Sequence, residues 1–279
     1  MPDKQINQSN LTEIINTEHQ LLIDAPKDYG EFFAHALQSV KLLQSFVSGI
    51  KDEGWLFVSF LAHIRKHHTL AFLSTIRRHH VQTVMNLRQV LESGASAAYA
   101  LANPEPKDFV TTTPEGLLDV PERLKKKRNK WLDENYPKGS EAIKSMKEQM
   151  QPSSHSNLID THRTFKYTNV GNLVQLETPF FDLENQFQIK GDLWSLTNIA
   201  MVLMDLFYGV NQKVNNITFS KNFVPEIQAL DKEDKRLKEI MMKTRKFKRA
   251  DKKAKLRDAR LEEISAEMNK NKAHEEPSQ

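Results

Sequence analysis

The sequence contains no cysteine, so it forms no disulfide, thiolate metal site or cysteine nucleophile. This absence is typical of a protein from a reducing compartment. Glycine is also scarce, at nine residues of 279. The chain has no glycine-rich phosphate loop, no G-x-S-x-G elbow, no H-E-x-x-H pair and no dinucleotide-binding fingerprint. Together these absences argue against nucleotide-dependent enzymes and against the common hydrolases.

Long hydrophobic runs are missing as well. No uninterrupted apolar stretch reaches the roughly 18 residues that a membrane-spanning helix needs, and the first residues, MPDKQINQSNLTEII, are polar. We therefore expect a cytoplasmic protein without a membrane partner. Hydrophobic residues still make up 39% of the chain, which is enough to form a core in a protein of this length.

Apolar residues recur every three to four positions through most of the chain, which predicts an all-α fold, a helical bundle with long paired helices. The most regular segment runs from Trp55 to Leu101 and contains no proline. One straight helix of that length would measure about 70 Å, so we expect a break near His67–Thr69. A second core helix is predicted to begin with Asp192 as its cap. Small side chains in Gly94–Ala98 should let another helix approach closely.

The segments between the core helices are less regular. Thr113–Pro114 has the order of residues that starts a helix, and two charged helices are predicted over residues 121–134 and 140–150. Residues 173–177 and 187–190 are predicted to form a small extended or hairpin insertion. The charged helices should lie on the surface of the bundle.

Three regions follow from these patterns. Residues 1–27 are predicted to be an N-terminal arm or docking helix, and the helical bundle occupies residues 28–222, with Asp28 capping its first helix. Residues 223–279 form a charged, basic helical tail, with partial disorder as an alternative. The long helices also predict a homodimer.

Arg88 and Glu92 form a predicted ion pair. They lie four residues apart beside the apolar side of the same predicted helix. Such a pair fixes the register of a helix, so a structural role is expected rather than a catalytic one.

The net charge of +4 conceals an uneven distribution. Residues 243–260 hold ten Lys and Arg against two Asp. Clustered cations gain entropy when they displace counterions from a polyanion, so this segment predicts RNA or DNA as a partner. A solvated helix, or a docking site for a protein partner, is the alternative. The tail residues predicted to contact nucleic acid are Lys243, Arg245, Lys246, Lys248, Arg249, Lys252, Lys253 and Lys255.

Five of the ten histidines lie between His63 and His80. His63 and His67 are one helical turn apart, a spacing that can chelate a metal. Cations crowd this segment and no acidic residue lies close in sequence, so we predict no metal site and no cofactor. The segment is then either a solvated face or a basic stripe that touches phosphates. The contact residues predicted for the stripe are Arg65, Lys66, Arg77 and Arg78.

The best candidate for a reactive site lies in residues 160–169, at the end of a predicted helix. Arginine can stabilise a transferring phosphate and histidine can move a proton near neutral pH. Arg163 and His162 therefore suit metal-independent cleavage of RNA through its 2′-hydroxyl. Tyr167 and Asn169 are the predicted positioning groups. The alternative is a helix end whose cations satisfy its last carbonyl groups.

The long paired helices, the stretch Asn86–Pro104 and the later apolar segment LWSLTNIAMVLMDLFYGV resemble bacterial helical proteins related to the HEPN superfamily. The resemblance covers roughly residues 55–210 and implies an all-helical, often dimeric bundle. It also implies kinship with metal-independent ribonucleases of toxin and phage-defence systems, whose signature is Arg followed after four to six residues by His. The nearest match in this chain is Arg163 with Asn169. The resemblance therefore implies either a non-catalytic bundle or a site completed by His162.

These observations favour a helical protein that interacts with nucleic acid, RNA before DNA. The resemblance extends this expectation to a metal-independent ribonuclease of a bacterial defence or stress system. The alternative is a non-enzymatic scaffold whose basic tail binds a protein partner.

Overall fold

Eight α-helices account for most of the part of the chain that the structure describes. In this computed structural model that part comprises residues 8–151, 166–170, 173–177, 180–182 and 185–244. The helices, in chain order, are α1 (Gln8–Tyr29), α2 (Glu31–Ser45), α3 (Trp55–Ile76), α4 (His80–Ala102), α5 (Leu124–Asn135), α6 (Pro137–Met150), α7 (Gln186–Val214) and α8 (Phe223–Lys243).

Three two-stranded antiparallel sheets lie between the helices of these ranges. The pairs are β1 (Val47–Ile50) with β6 (Ile217–Phe219), β2 (Thr111–Thr112) with β3 (Leu118–Asp119), and β4 (Lys166–Val170) with β5 (Leu173–Glu177). Each sheet is short and links helices. The predicted all-α helical bundle with a small extended insertion is therefore confirmed.

The core is centred on the antiparallel pair α3 and α4, against which α7 packs, and α2 packs against α7 in turn. Leu193, Leu196 and Leu203 of α7 are completely buried. The small-residue run of α4 meets α7 directly, because a Cβ on Gly94 would clash with Cδ2 of Leu203. The close helix approach predicted for this run is confirmed.

The break in the long helical segment was predicted too early in the chain. α3 continues through residues 67–69, and the turn to α4 occurs around Arg78, whose φ is 62°. The core accepts a histidine within α3 because His68 Nε2 donates a hydrogen bond to the carbonyl oxygen of Leu196, at 3.1 Å. The turn is achieved in a left-handed backbone conformation that is uncommon for arginine.

The helix start predicted at Thr113–Pro114 is wrong, because these residues lie in the turn between β2 and β3. Gly116 adopts a φ of 82°, and the side-chain oxygen of Thr113 accepts a hydrogen bond from the Leu117 backbone N–H at 3.3 Å. A cap-then-proline sequence suits a turn as well as a helix start. The two charged helices predicted after this turn are confirmed as α5 and α6.

Two strands form the extended insertion, and the sequence pattern predicted only one of them, β5. Strand β5 pairs with residues 166–170, whereas residues 187–190 belong to α7. α7 starts earlier than predicted because Asn185, rather than Asp192, caps it: Asn185 Oδ1 accepts from the Gln188 backbone N–H at 3.4 Å. The helix end predicted within 160–169 is also incorrect for residues 166–169, since these form part of β4.

The chain divides into two units, Met1–Asp234 and Lys235–Gln279. In the first unit α1 continues through Pro26 to Tyr29, and α2 starts after Gly30 at a φ of 52°. The helix start predicted at Asp28 is therefore slightly early. Glycine suits this junction because it adopts positive φ without a steric penalty.

By length and composition, α7 is the one helix of the described ranges that could cross a membrane. Its most apolar window is 56% buried inside the structure. Burial of this kind is typical of the core helix of a soluble protein.

Candidate nucleic-acid interface

The start of α5 carries a dense group of cations. Residues 123–130 contain six Lys or Arg and no acidic residue. Leu124 and Leu132 are buried and hold one side of the helix against the bundle. Since these leucines fix which side faces inward, most of the cations face solvent.

Two of the six cations attach α5 to the bundle. Arg128 is buried, and its guanidinium donates to Glu92 Oε2 at 3.0 Å and to Ser96 Oγ at 2.9 Å, both on α4. Lys127 Nζ donates to Asp108 Oδ2 at 2.7 Å and keeps the pKa of that carboxyl below its usual range. These contacts fix the rotation of α5 on the bundle.

Glu92 is a junction between three helices. Besides Arg128 on α5 it binds Lys147 of α6, whose Nζ lies 2.7 Å from Oε1. Burial alone raises the pKa of Glu92, but hydrogen bonding and charge from Lys147 and Arg128 outweigh burial and lower it. The sequence predicted Arg88 as the partner of Glu92, whereas the structure pairs Glu92 with cations of other helices. Arg88 Nη1 donates to Gln151 Oε1 at 3.1 Å.

The other four cations lie on the solvent side of α5. Arg123, Lys125 and Lys126 are exposed, and no acidic side chain of the described ranges pairs with them. Lys130 is exposed too, at 3.8 Å from Glu134 in a pair that contributes little in water. We name Arg123, Lys125, Lys126 and Lys130 the α5 basic surface.

The sequence contained a signal for the α5 basic surface that the prediction did not use. Six cations in eight positions, with no acid among them, stand in residues 123–130. Its pattern by itself predicts only a charged surface helix. The sequence pattern does not show which of these cations form ion pairs. Lys127 pairs with Asp108, 19 residues away in the chain, and Arg128 pairs with Glu92, 36 residues away.

The cations predicted to form a stripe along α3 are held in different ways. Arg65 Nε donates to the carbonyl oxygen of Leu43 in α2 at 2.9 Å. Arg77 Nε lies 3.3 Å from Glu18 Oε1 in an ion pair that does not form a hydrogen bond. Lys66 is exposed. Contact of these residues with nucleic acid stays a prediction.

The last residues of the predicted stripe segment lie at the turn between α3 and α4. His79 packs against two phenylalanine rings, at centroid distances of 5.2 and 5.5 Å. The His80 Nδ1 atom lies 2.7 Å from Asp192 Oδ2, and its backbone N–H donates to Asp182 Oδ2 at 2.7 Å. The carbonyl oxygen of Arg78 accepts from the Asp182 backbone N–H at 2.9 Å. These contacts fasten residues 180–182 to the turn.

The predicted reactive site falls largely outside the described residues. His162 and Arg163 lie in the range 152–165, which the structure does not describe. The backbone of Tyr167 and of Asn169 lies in β4. The catalytic role of these four residues stays a prediction.

The tail is described only as far as its first cation. Lys243 is exposed at the end of α8. The other predicted tail contacts lie outside the described residues: Arg245, Lys246, Lys248, Arg249, Lys252, Lys253 and Lys255.

No family model, curated protein or solved structure matches this chain. The resemblance to the HEPN superfamily stays a prediction made from the sequence. A functional conclusion rests on the charge and geometry of the chain's own residues.

Proposed function

We propose that the protein binds RNA through its phosphate backbone, with the α5 basic surface and the basic tail as the contacts. The observation that carries this proposal is the group of exposed cations at the start of α5, where no acidic residue interrupts residues 123–130. Phosphate neutralisation by Lys and Arg releases counterions and supplies most of the sequence-independent affinity for a nucleic acid. Binding of this kind requires no cofactor.

The attachment of α5 supports a role as a binding surface. Arg128 and Lys127 hold the helix through Glu92 and Asp108, so the exposed cations extend from a fixed scaffold. Lys and Arg on a fixed helix keep their spacing, whereas cations on an unstructured segment lose conformational freedom when they bind. The basic tail adds a second group of cations, which increases the number of phosphates that one molecule contacts.

RNA is preferred to duplex DNA as the partner because the resemblance to the HEPN superfamily implies an RNA substrate. The same resemblance implies either a non-catalytic bundle or a cleavage site completed by His162, and these two readings can be separated by experiment. If the protein is a ribonuclease, end-labelled RNA is shortened in the presence of EDTA, and Arg163→Ala abolishes the shortening without unfolding the protein. If the RNA stays intact with the native protein and with Arg163→Ala, the protein is not a metal-independent ribonuclease. RNA binding is tested by a separate experiment.

The binding proposal is tested by a charge-reversal variant with a matched control. Arg123→Glu, Lys125→Glu and Lys126→Glu are combined in full-length protein, and the affinity for a fluorescent single-stranded RNA is measured by anisotropy. The control combines Lys27→Glu, Lys41→Glu and Lys232→Glu, three exposed lysines of α1, α2 and α8. Both variants change the net charge equally. We expect the α5 variant to lose at least about tenfold in affinity and the control to lose much less.

Three results would contradict the proposal in different ways. An equal loss in both variants would mean that total charge, rather than the α5 basic surface, governs binding. Equal affinity of the native protein for duplex DNA would overturn the choice of RNA. No binding by the native protein at low salt would favour the scaffold whose tail binds a protein partner.

A further inference from the structure

Two imidazole rings lie side by side on α3, and neither residue belongs to the α5 basic surface. The ring centroids of His63 and His67 are 4.2 Å apart. His63 is exposed and His67 is half-buried. Each ring forms its hydrogen bond to the neighbouring helix α4 through Nδ1, and neither Nε2 atom has a hydrogen-bond partner among the described residues.

The contacts of Asn86 determine which nitrogen of His67 carries the proton. Asn86 Nδ2 donates to the carbonyl oxygen of Gln82 at 2.8 Å, which fixes the orientation of the amide. Its Oδ1 atom therefore faces His67, 2.8 Å from Nδ1. An amide oxygen only accepts, so Nδ1 of His67 must donate. In the neutral ring this leaves Nε2 with a free lone pair.

His63 is held in the same manner one turn earlier. Its Nδ1 atom lies 2.8 Å from Oγ of Ser93, a nearly buried residue of α4. The Ser93 hydroxyl can accept a hydrogen bond from Nδ1, which directs the lone pair of this ring to Nε2 as well. Asn86 and Ser93 are seven residues apart, two turns along one side of α4, so one rigid helix orients both rings.

We propose that His63 and His67 form a binding site for a divalent metal ion of the class that imidazole binds, with Zn²⁺ as the test ion and the two Nε2 atoms as ligands. Histidines four residues apart on a helix can reach one ion. A hydrogen bond from Nδ1 to a fixed oxygen is the arrangement that orients metal-binding histidines in proteins. The site has an open side, since no third His, Asp or Glu joins the pair within the described ranges. Water would complete the coordination of a bound ion.

The charges near the pair have two opposing effects. Partial burial lowers the pKa of His63, as do His67 and Lys66, so this imidazole is neutral near pH 7 and available to a metal. The ammonium of Lys66 also repels a bound cation. From the sequence alone, the crowding by Arg65, Lys66, Arg77 and Arg78 and the lack of a nearby acidic ligand predict no site. The hydrogen bonds from α4 could not be read from the spacing of the histidines.

The test uses metal-free, full-length protein titrated with Zn²⁺ in a calorimeter. We expect one bound ion per chain, and a loss of at least about tenfold in affinity for His67→Gln and for Asn86→Ala. His19→Gln, a change at an exposed histidine of α1, is the control and should bind Zn²⁺ as the native protein does. Melting temperatures without metal establish that each variant is folded.

A second measurement avoids substitution altogether. Long-range ¹H–¹⁵N spectra of the native protein report the protonation of each ring nitrogen, and we expect protonated Nδ1 and a Zn²⁺-shifted Nε2 in both rings. The proposal is overturned if Zn²⁺ leaves these Nε2 signals unchanged. It is overturned equally if the double variant His63→Gln, His67→Gln binds Zn²⁺ as tightly as the native protein.

Discussion

His68 shows how a single polar side chain is accommodated in the core. The residue is fully buried in α3, and its Nε2 atom donates to the carbonyl oxygen of Leu196 in α7, while Nδ1 has no partner among the described atoms. Burial lowers the pKa of His68 to about 4. The ring is therefore neutral in the folded protein over the whole physiological range.

The low pKa of His68 predicts a specific loss of stability in acid. The unfolded chain, with a histidine pKa of about 6.5, takes up the proton before the folded protein does. The contribution of neutral His68 to the free energy of unfolding is therefore complete above about pH 6.5. It is lost as the pH falls towards 4, by about 3 kcal/mol in total.

Urea unfolding at about pH 7 and about pH 4.5 checks this prediction. We expect the native protein to lose about 2–3 kcal/mol more stability between these values than His68→Gln does. Other titrating groups, including His63 and His79, are common to both proteins and cancel in the comparison. Equal losses in the two proteins would show that His68 does not carry the effect.

Among the helices, the contact of α4 with α7 is the most sensitive to side-chain size. Alanine favours a helix over glycine by about 1 kcal/mol, yet a Cβ at Gly94 would clash with Cδ2 of the buried Leu203. Overpacking of this kind costs about 1–3 kcal/mol. We therefore expect Gly94→Ala to destabilise the protein, as measured by urea unfolding.

A double-mutant cycle identifies the cause of that loss. In protein that already carries Leu203→Ala, the space for a methyl group at position 94 is open, so Gly94→Ala should become neutral or stabilising. If Gly94→Ala were equally destabilising with and without Leu203, the close contact of α4 and α7 would not be its cause.

The helices were predictable from sequence to the extent that local spacing determines them. The three-to-four periodicity was sufficient for the core helices, and the capping residues indicated α5 and α6. The periodicity placed the break between α3 and α4 too early, at His67–Thr69. α3 continues through these residues because His68 bonds to the carbonyl oxygen of Leu196, which is 128 residues away in the chain and leaves no signal in the local spacing. The periodicity failed again at β4, whose pairing with β5 is set by hydrogen bonds between strands rather than by a pattern within one segment.

The candidate interface was less predictable than the helices. The sequence shows where cations occur, but it does not show that Arg65, Arg128 and Lys127 are engaged while Arg123, Lys125 and Lys126 are exposed. That distinction arises from contacts between helices.

At the scale of the whole molecule, the cations are concentrated rather than spread evenly. Residues 123–130 and 243–260 together hold sixteen Lys and Arg against two Asp, while the net charge of the chain is +4. The remainder is therefore acidic overall. We expect this distribution of charge to direct a polyanion to the two basic segments and to repel it elsewhere.

The salt dependence of RNA binding tests the central claim most directly. The affinity of full-length protein for single-stranded RNA is measured between about 50 and 200 mM salt, for the native protein and for the triple charge reversal at Arg123, Lys125 and Lys126. If these residues contact phosphates, the slope of log K against log salt becomes shallower by about 0.7 for each lost contact, or about 2 in all. An identical slope and affinity in the two proteins would show that the α5 basic surface does not bind RNA.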